Sequence, residues 1–205
     1  MVNIRHRAAR VPHLPRKGWT AHLRDLVRRF PAVALLGARQ AGKTTLARRT
    51  FPRAAYFDME RPSDVARLEL DPEAVLGRRR GVVVIDEAQA RPSLFPLLRS
   101  LIDENRHRRF VLLGSASPTL VRGISESLAG RIVDLVLPPF GWDELPARRT
   151  GDADGLWLRG GFPPAYFTAD ARTWWTWLEN YVRNFIERDL GLLGIDLPAP
   201  RLHRF

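Results

Sequence analysis

The nine residues GARQAGKTT, 37 to 45, constrain this chain more than any other stretch of it. They fit the pattern G-x-x-x-x-G-K-[ST], with Gly37, Gly42, Lys43 and Thr44 at the fixed positions. In such a loop the backbone N–H groups of Gly37, Ala38, Arg39, Gln40, Ala41, Gly42, Lys43, Thr44 and Thr45 wrap around a phosphate. Lys43 adds a point charge and Thr44 a hydroxyl for magnesium. Two glycines make the tight wrap sterically accessible. The flanks agree with the loop: AVALLG, 32 to 37, is a short apolar β-prone run, and KTTLARRTF reads as a helix whose N-terminus faces the anion.

Composition sharpens that reading. Of 33 basic residues only Lys17 and Lys43 are lysine. Whatever bias favours arginine here has spared Lys43, as expected where a compact ammonium on a slender stem, and not a planar fork, must fit a phosphate cradle. A length of 205 residues suffices for one α/β domain with a small appendage. The absence of cysteine removes disulfides and thiolate metal sites and agrees with a cytoplasmic setting. No uncharged apolar run is long enough to span a bilayer, and the start lacks the apolar segment of a secretory signal, so no membrane partner is expected. The five histidines are scattered and suggest no zinc site.

The net charge of +11 is unevenly placed: residues 1 to 30 hold eight basic side chains against Asp25 alone. This stretch reads either as an arm that touches nucleic-acid phosphates or as a solvated arginine-rich segment. Beyond it, TAHLRDLVRRF (20 to 30) has helical apolar spacing. Strands are expected at 32–37, 53–59, 81–86, 109–115 and 131–138, with helices between them at 62–76, 92–106 and after Pro118. Strands alternating with helices predict an α/β fold with a mostly parallel sheet covered on both faces. Proline, glycine and charge dominate 138–155. The expected organisation is a basic arm over 1–19, a nucleotide core over 20–138, an irregular connector over 139–167, and the start of a truncated helical C-terminal region over 168–205.

A second chemical signal lies at the end of GVVVIDEAQ. Asp86 emerges from the carboxyl end of a buried strand, where open α/β sheets place ligand chemistry, and suits magnesium. Glu87 follows at once and suits a general base that orients and deprotonates water.

These segments together resemble the prokaryotic AAA-type P-loop ATPases whose nucleotide domain precedes a C-terminal domain. GARQAGKTT, VVVIDEAQ, VLLGSAS, SESLAGR, PFGWDEL, GGFPPAY and FIERDL run in family order between about residues 20 and 190. The resemblance implies a three-layer sandwich with a parallel core of about five strands, in which the strand ending at Ser115 lies between the phosphate-loop strand and the Asp86 strand. It implies ATP and Mg2+ as ligands, Thr44 and Asp86 at the metal, and Glu87 and Lys43 in catalysis. It places Ser115 where a polar sensor of the γ-phosphate sits, although a strand-end cap is an equal reading. It places Arg131 where a functional arginine acts, from this or a neighbouring subunit. Family members run on for about as many residues again, so a separate C-terminal partner chain is one expected partner and a further copy of this chain, in a homo-oligomer, another.

Trp174, Trp177, Leu178, Tyr181 and Phe185 recur at helical spacing. Core packing or a partner interface is one reading of this stripe, base stacking another, and self-association a third. The function expected is ATP hydrolysis that drives a conformational switch. A nucleotide-dependent binding module with little turnover and a DNA-associated ATPase stand as alternatives.

Overall fold

The computed structural model describes residues 13–79, 81–115, 118–145, 150–168 and 170–192. Residues 1–12 of the basic arm and the tail from 193 lie outside the described residues. The remainder builds a five-stranded parallel sheet in the order β2-β3-β4-β1-β5. The strands are β1 (Ala32–Leu36), β2 (Ala55–Asp58), β3 (Val82–Asp86), β4 (Arg109–Gly114) and β5 (Ile132–Val136). Helices α1 (Lys17–Arg29), α2 (Lys43–Thr50), α3 (Pro62–Leu70), α4 (Pro72–Gly77), α5 (Leu94–Glu104) and α6 (Pro118–Ser127) alternate with them.

The central strands of the parallel sheet bury side chains on both faces. All five residues of β1 are buried. Val33 and Leu35 pack under Leu23 and Val27 of α1 and Leu46 and Ala47 of α2. The intervening Ala32, Ala34 and Leu36 face Leu98, Leu101 and Ile102 of α5, Leu120 and Ile124 of α6, and Leu128 just after it. Two apolar layers sandwich one sheet, as continuous apolar strands require. The register sets Leu36 beside Gly114, so the phosphate-loop strand and β4 end together. Strand β4 lies between β1 and β3.

After β5 the chain is more regular than its composition suggests. The stretch 139–167, expected to be an irregular connector, is in part helical: α7 (Thr150–Arg159) and α8 (Pro163–Tyr166) lie in it. Pro163 opens α8, a position where proline's missing N–H costs nothing. Then α9 (Ala171–Asn184) begins at Asp170, whose carboxylate accepts the Thr173 N–H at 2.9 Å. It runs into a π-helical turn, Phe185–Asp189, and a last turn, α10 (Leu190–Leu192). Tyr181 and Trp177 stack at 5.0 Å, and each also meets the Phe162 ring. That half of the aromatic stripe is packed against its own chain.

Arg16 departs furthest from its sequence reading. Expected in a basic arm that is either solvated or turned to nucleic acid, it is 7% exposed. Its guanidinium donates twice to Glu144, at 2.6 Å each, and to the carbonyls of Pro138 at 2.9 Å, Pro139 at 3.2 Å and Ala41 at 3.3 Å. The group lies over the rings of Trp19 and Phe140 at 5.5 and 5.3 Å. Glu144 in turn accepts the Gly141 N–H at 3.0 Å. One side chain thus joins the segment before α1, the phosphate loop and the turn after β5. Removing one partner of a buried, hydrogen-bonded pair strands the other charge, so Arg16→Ala is expected to lose about 3–5 kcal/mol of unfolding free energy in urea titration. The paired replacement Arg16→Met with Glu144→Leu should recover most of that loss; a double variant as weak as the single one would refute the account.

Candidate functional site

The phosphate loop turns sharply at two glycines that no other residue replaces cheaply. At Gly37, φ is +152°, and a Cβ would collide with the Leu137 carbonyl just past β5. At Gly42, φ is +94°, and this residue caps α2. Between them Gln40 adopts a left-handed conformation with φ of 62°. Lys43, the first residue of α2, is 6% exposed. Its ammonium donates to the carbonyls of Gly37 and Ala38, both at 2.9 Å. Burial pulls its pKa below the usual lysine value, and the carboxylates of Glu87 and Asp86 oppose that pull.

Asp86 ends β3 and is 5% exposed. Its Oδ2 accepts the Thr44 hydroxyl at 2.8 Å and the Tyr56 hydroxyl, and its Oδ1 accepts the Glu87 N–H at 3.0 Å. Burial, followed by the hydrogen bond to Asp86, pushes the Tyr56 phenol well above its ordinary pKa. The Arg48 guanidinium covers the Tyr56 ring at 4.1 Å. Glu87 is left-handed, with φ of 51°, which turns the chain sharply out of the strand. Burial raises the Glu87 carboxyl above the usual glutamate range, and the Gln89 side chain, donating to Glu87 Oε2, counters part of that rise.

A cleft of about 1130 Å³ opens at these groups. The phosphate loop and Glu87 form its floor, His13 to Arg16 one wall, and Pro163, Pro164 and Phe167 the other. Its size suits a small organic phosphate. Among the described residues no group of three or more His, Cys, Asp or Glu is arranged around a metal. The oxygens present nonetheless fit magnesium: one carboxylate and one hydroxyl, already in mutual contact, are the donor set of a cation that takes its other ligands from water and substrate phosphates. Thr44 and Asp86 are the residues that would hold it.

Strands β1, β3 and β4 thus bring together the phosphate loop, Thr44, Asp86, Glu87 and Ser115. The Ser115 hydroxyl is buried without a hydrogen-bond partner among the described residues. Arg131 lies elsewhere. It directly precedes β5, its carbonyl accepts the N–H of Ala32 at the start of β1, and its guanidinium is held by Asp103 at 2.7 and 2.8 Å. That is the opposite end of the sheet from Gly37. Arg131 is therefore remote from the phosphate loop of its own chain.

Four participants escaped the sequence reading. Arg16 and Tyr56 carry no local signal of their role. Gln89 stands two residues after Glu87 in IDEAQ, and that proximity was a usable clue. Helix α9 touches the loop itself: the Trp177 indole donates to Gln40 Oε1 at 2.8 Å, and Asp189 pairs with Arg39 at 3.4 Å.

A doubly covered parallel sheet with a glycine loop leading from β1 into α2 defines a P-loop nucleoside triphosphatase fold. Residues 29–145 match a family model described as an AAA domain, and the chain belongs to that family. Uncharacterized proteins of Mycobacterium bovis and Mycobacterium tuberculosis are each 44% identical over 196 residues, which cover 93% of this chain and 43% of theirs. The chain therefore spans less than half the length of these curated relatives. A Walker-type ATPase of Pyrococcus abyssi superposes with a TM-score of 0.62 at 16% identity, covering 90% of this chain and 77% of that one. A signal transduction ATPase with numerous domains and a tetratricopeptide repeat sensor, from Pyrococcus horikoshii, gives 0.50 at 15% identity, covering 87% and 34%. Among the described residues no helix is long and apolar enough to cross a membrane.

Tyr56→Phe keeps the ring under Arg48 and removes only a hydroxyl donated to a buried carboxylate. Urea unfolding without nucleotide or divalent cation should show a loss of roughly 1.5–3 kcal/mol, the scale of a hydrogen bond to a charged group. A loss within the surface range of about 0.5 kcal/mol would mean that Asp86 does not depend on Tyr56.

Proposed function

We propose that this chain is a magnesium-dependent ATP hydrolase of the AAA type that uses turnover to reorient its C-terminal helical region. The observation that carries the proposal is the 2.8 Å hydrogen bond between Thr44, at the start of α2, and Asp86, at the end of β3, with Glu87 next in the chain. It joins the phosphate-binding half of the site to the acidic half.

On this reading the loop N–H groups and the N-terminus of α2 bind the β- and γ-phosphates. Lys43 exchanges the carbonyls of Gly37 and Ala38 for phosphate oxygens. Magnesium, held by Thr44 and Asp86, would supply charge neutralisation across the phosphates. Glu87 accepts a proton from the attacking water, and its raised pKa brings it nearer the neutral range where a general base works best. Ser115, whose buried hydroxyl lacks a partner among the described residues, senses the γ-phosphate. Helix α9 is the moving part, because Trp177 and Asp189 contact loop residues Gln40 and Arg39. The working setting is the cytoplasm, where ATP is available.

Arg131 acts in trans, in a homo-oligomer, on the nucleotide of a neighbouring copy. Its place at the start of β5, on the far side of the sheet from its own loop, supports that reading.

Phosphate release from ATP, followed across protein concentrations with and without DNA, is the direct test. Lys43→Ala should abolish nucleotide binding. Glu87→Gln should bind ATP normally and turn over about a hundredfold or more slowly, the scale of a positioned base. Tight binding without Glu87-dependent turnover under every condition would overturn the hydrolase reading in favour of a nucleotide-sensing module. For Arg131, the variants Glu87→Gln and Arg131→Ala should each be nearly inactive alone, since an arginine finger contributes about a thousandfold or more. Mixed, they should regain measurable turnover at interfaces that combine an intact Glu87 with an intact Arg131. A mixture no faster than its parts would remove Arg131 from the site.

A further inference from the structure

Gln89 lies in the 3-10 turn Ala88–Ala90 that follows Glu87. Its carboxamide is used at one end only. The nitrogen donates to Glu87 Oε2, whereas Oε1 is buried and has no hydrogen-bond partner among the described residues. The orientation of the amide follows from its neighbour: an ionised carboxylate only accepts, so the NH2 group must face Glu87 and the carbonyl must face away. What lies on that other side is the end of β4. A Cβ on Gly114 would overlap both Gln89 Oε1 and Leu120 Cδ2. The next residue, Ser115, carries the other buried side-chain oxygen that lacks a partner among the described residues.

A glutamine half-buried at this point is an expensive choice if its only role is to fill space. A leucine of similar volume would pack against Leu120 and Gly114 without leaving an oxygen unpaired. Glycine at 114 is needed because the amide comes so close. The turn that carries Gln89 begins at left-handed Glu87, so the glutamine also braces a backbone conformation that a glutamate rarely adopts. These features share one geometric consequence: the Glu87 carboxylate is aimed from β4 through the Gln89 amide.

We propose that Gln89 is the positioning residue for Glu87, a rigid strut whose amide holds the carboxylate toward the γ-phosphate side of the cleft and ties its orientation to the end of β4, where Gly114 and Ser115 lie. The inference rests on the hydrolase reading given above, in which Glu87 is the general base. It assigns Gln89 no contact with substrate. Its effect therefore passes entirely through Glu87, and that is what separates it from a packing residue.

Three variants test it beside wild type and Glu87→Gln, with steady-state turnover and ADP affinity measured for each. Gln89→Leu removes both polar ends at similar volume. Gln89→Glu keeps the shape and replaces the donor with an acceptor that repels Glu87. Gly114→Ala leaves Gln89 intact but pushes its amide aside. Each should lower kcat about tenfold or more, within the range of a misplaced general base, with KM for ATP and affinity for ADP within twofold of wild type. ADP affinity also certifies that the variant is folded, and two variants that bind ADP suffice for judgement. Added to Glu87→Gln, Gln89→Leu should slow turnover no further, because residues that act as a unit do not contribute additively. Wild-type kcat in the variants, a parallel fall of kcat and ADP affinity, or multiplicative losses in the double variant would each overturn the proposal while leaving a Glu87-dependent hydrolase in place. Wild-type turnover that is absent or indifferent to Glu87→Gln would remove the hydrolase reading, and the strut with it.

Discussion

Two segments 42 residues apart in sequence meet through a single carboxylate, and the geometry of the cleft follows from that meeting. Asp86 accepts from Thr44, from Tyr56 and from the N–H of Glu87. Each donor arrives from a different place: the first turn of α2, strand β2, and the turn that leaves β3. A carboxylate buried to 5% exposure would be costly if alone, and this one is supplied with hydroxyl and amide donors on both oxygens. The same saturation orients it. The strand order makes such a cluster possible, since β4 separates β1 from β3 by one strand and the phosphate loop and the acidic turn emerge side by side.

A second buried charge does comparable work on the far wall. Arg16 and Glu144 bury their side chains almost completely, at 5% and 8% exposure, and the remaining guanidinium donors take carbonyls of the loop and of the turn after β5. Such a pair contributes less to net stability than its short distances suggest, because both ions must be desolvated. Its contribution is geometric. The guanidinium fork matches a carboxylate bidentately and still has donors left for carbonyls, and lysine, with three donors on a point charge, does not offer that arrangement. The chain thus uses its two cationic chemistries in different places: an ammonium in the phosphate loop and a guanidinium in the wall behind it.

Much of this was legible in the sequence, and the rest was hidden for identifiable reasons. Buried parallel strands are continuous apolar runs, so AVALL, VVVID and RFVLLG announced themselves, and the loop and IDE singled out Lys43, Thr44, Asp86 and Glu87, which the fold brings to one cleft. Arg16 was hidden because its partner lies 128 positions away and because it is one arginine among many. Helix α7 was hidden by Gly151, Gly155 and a pair of aspartates, which have low helix propensity. Arg131 was half legible: a residue that opens a parallel strand must sit at the end of the sheet opposite the loop. Tyr56 and Gln89 exemplify the limit of motif reading, because a motif names groups that meet the ligand and is silent about those that aim them.

The contact between α9 and the loop has a thermodynamic corollary. Gln40 and Arg39 belong to the loop that would close around a phosphate, and in the same structure they bind Trp177 and Asp189. The side chains of these loop residues hold α9 while their backbone N–H groups face the phosphate position, so a shift of the loop on phosphate binding is felt by α9. Linkage makes the effect reciprocal: whatever nucleotide does to α9, a partner that grips α9 does to nucleotide affinity, by the same factor. The Arg39–Asp189 pair is partly exposed and weak by itself. Such contacts suit a switch, because an element held by a few weak interactions is released by a ligand of modest differential affinity, whereas a fully packed interface is not. The π-helical turn at Phe185–Asp189 fits the same logic: it interrupts the helical ladder at the residues that bring Asp189 to the loop, leaving the helix most easily rearranged where it touches the site.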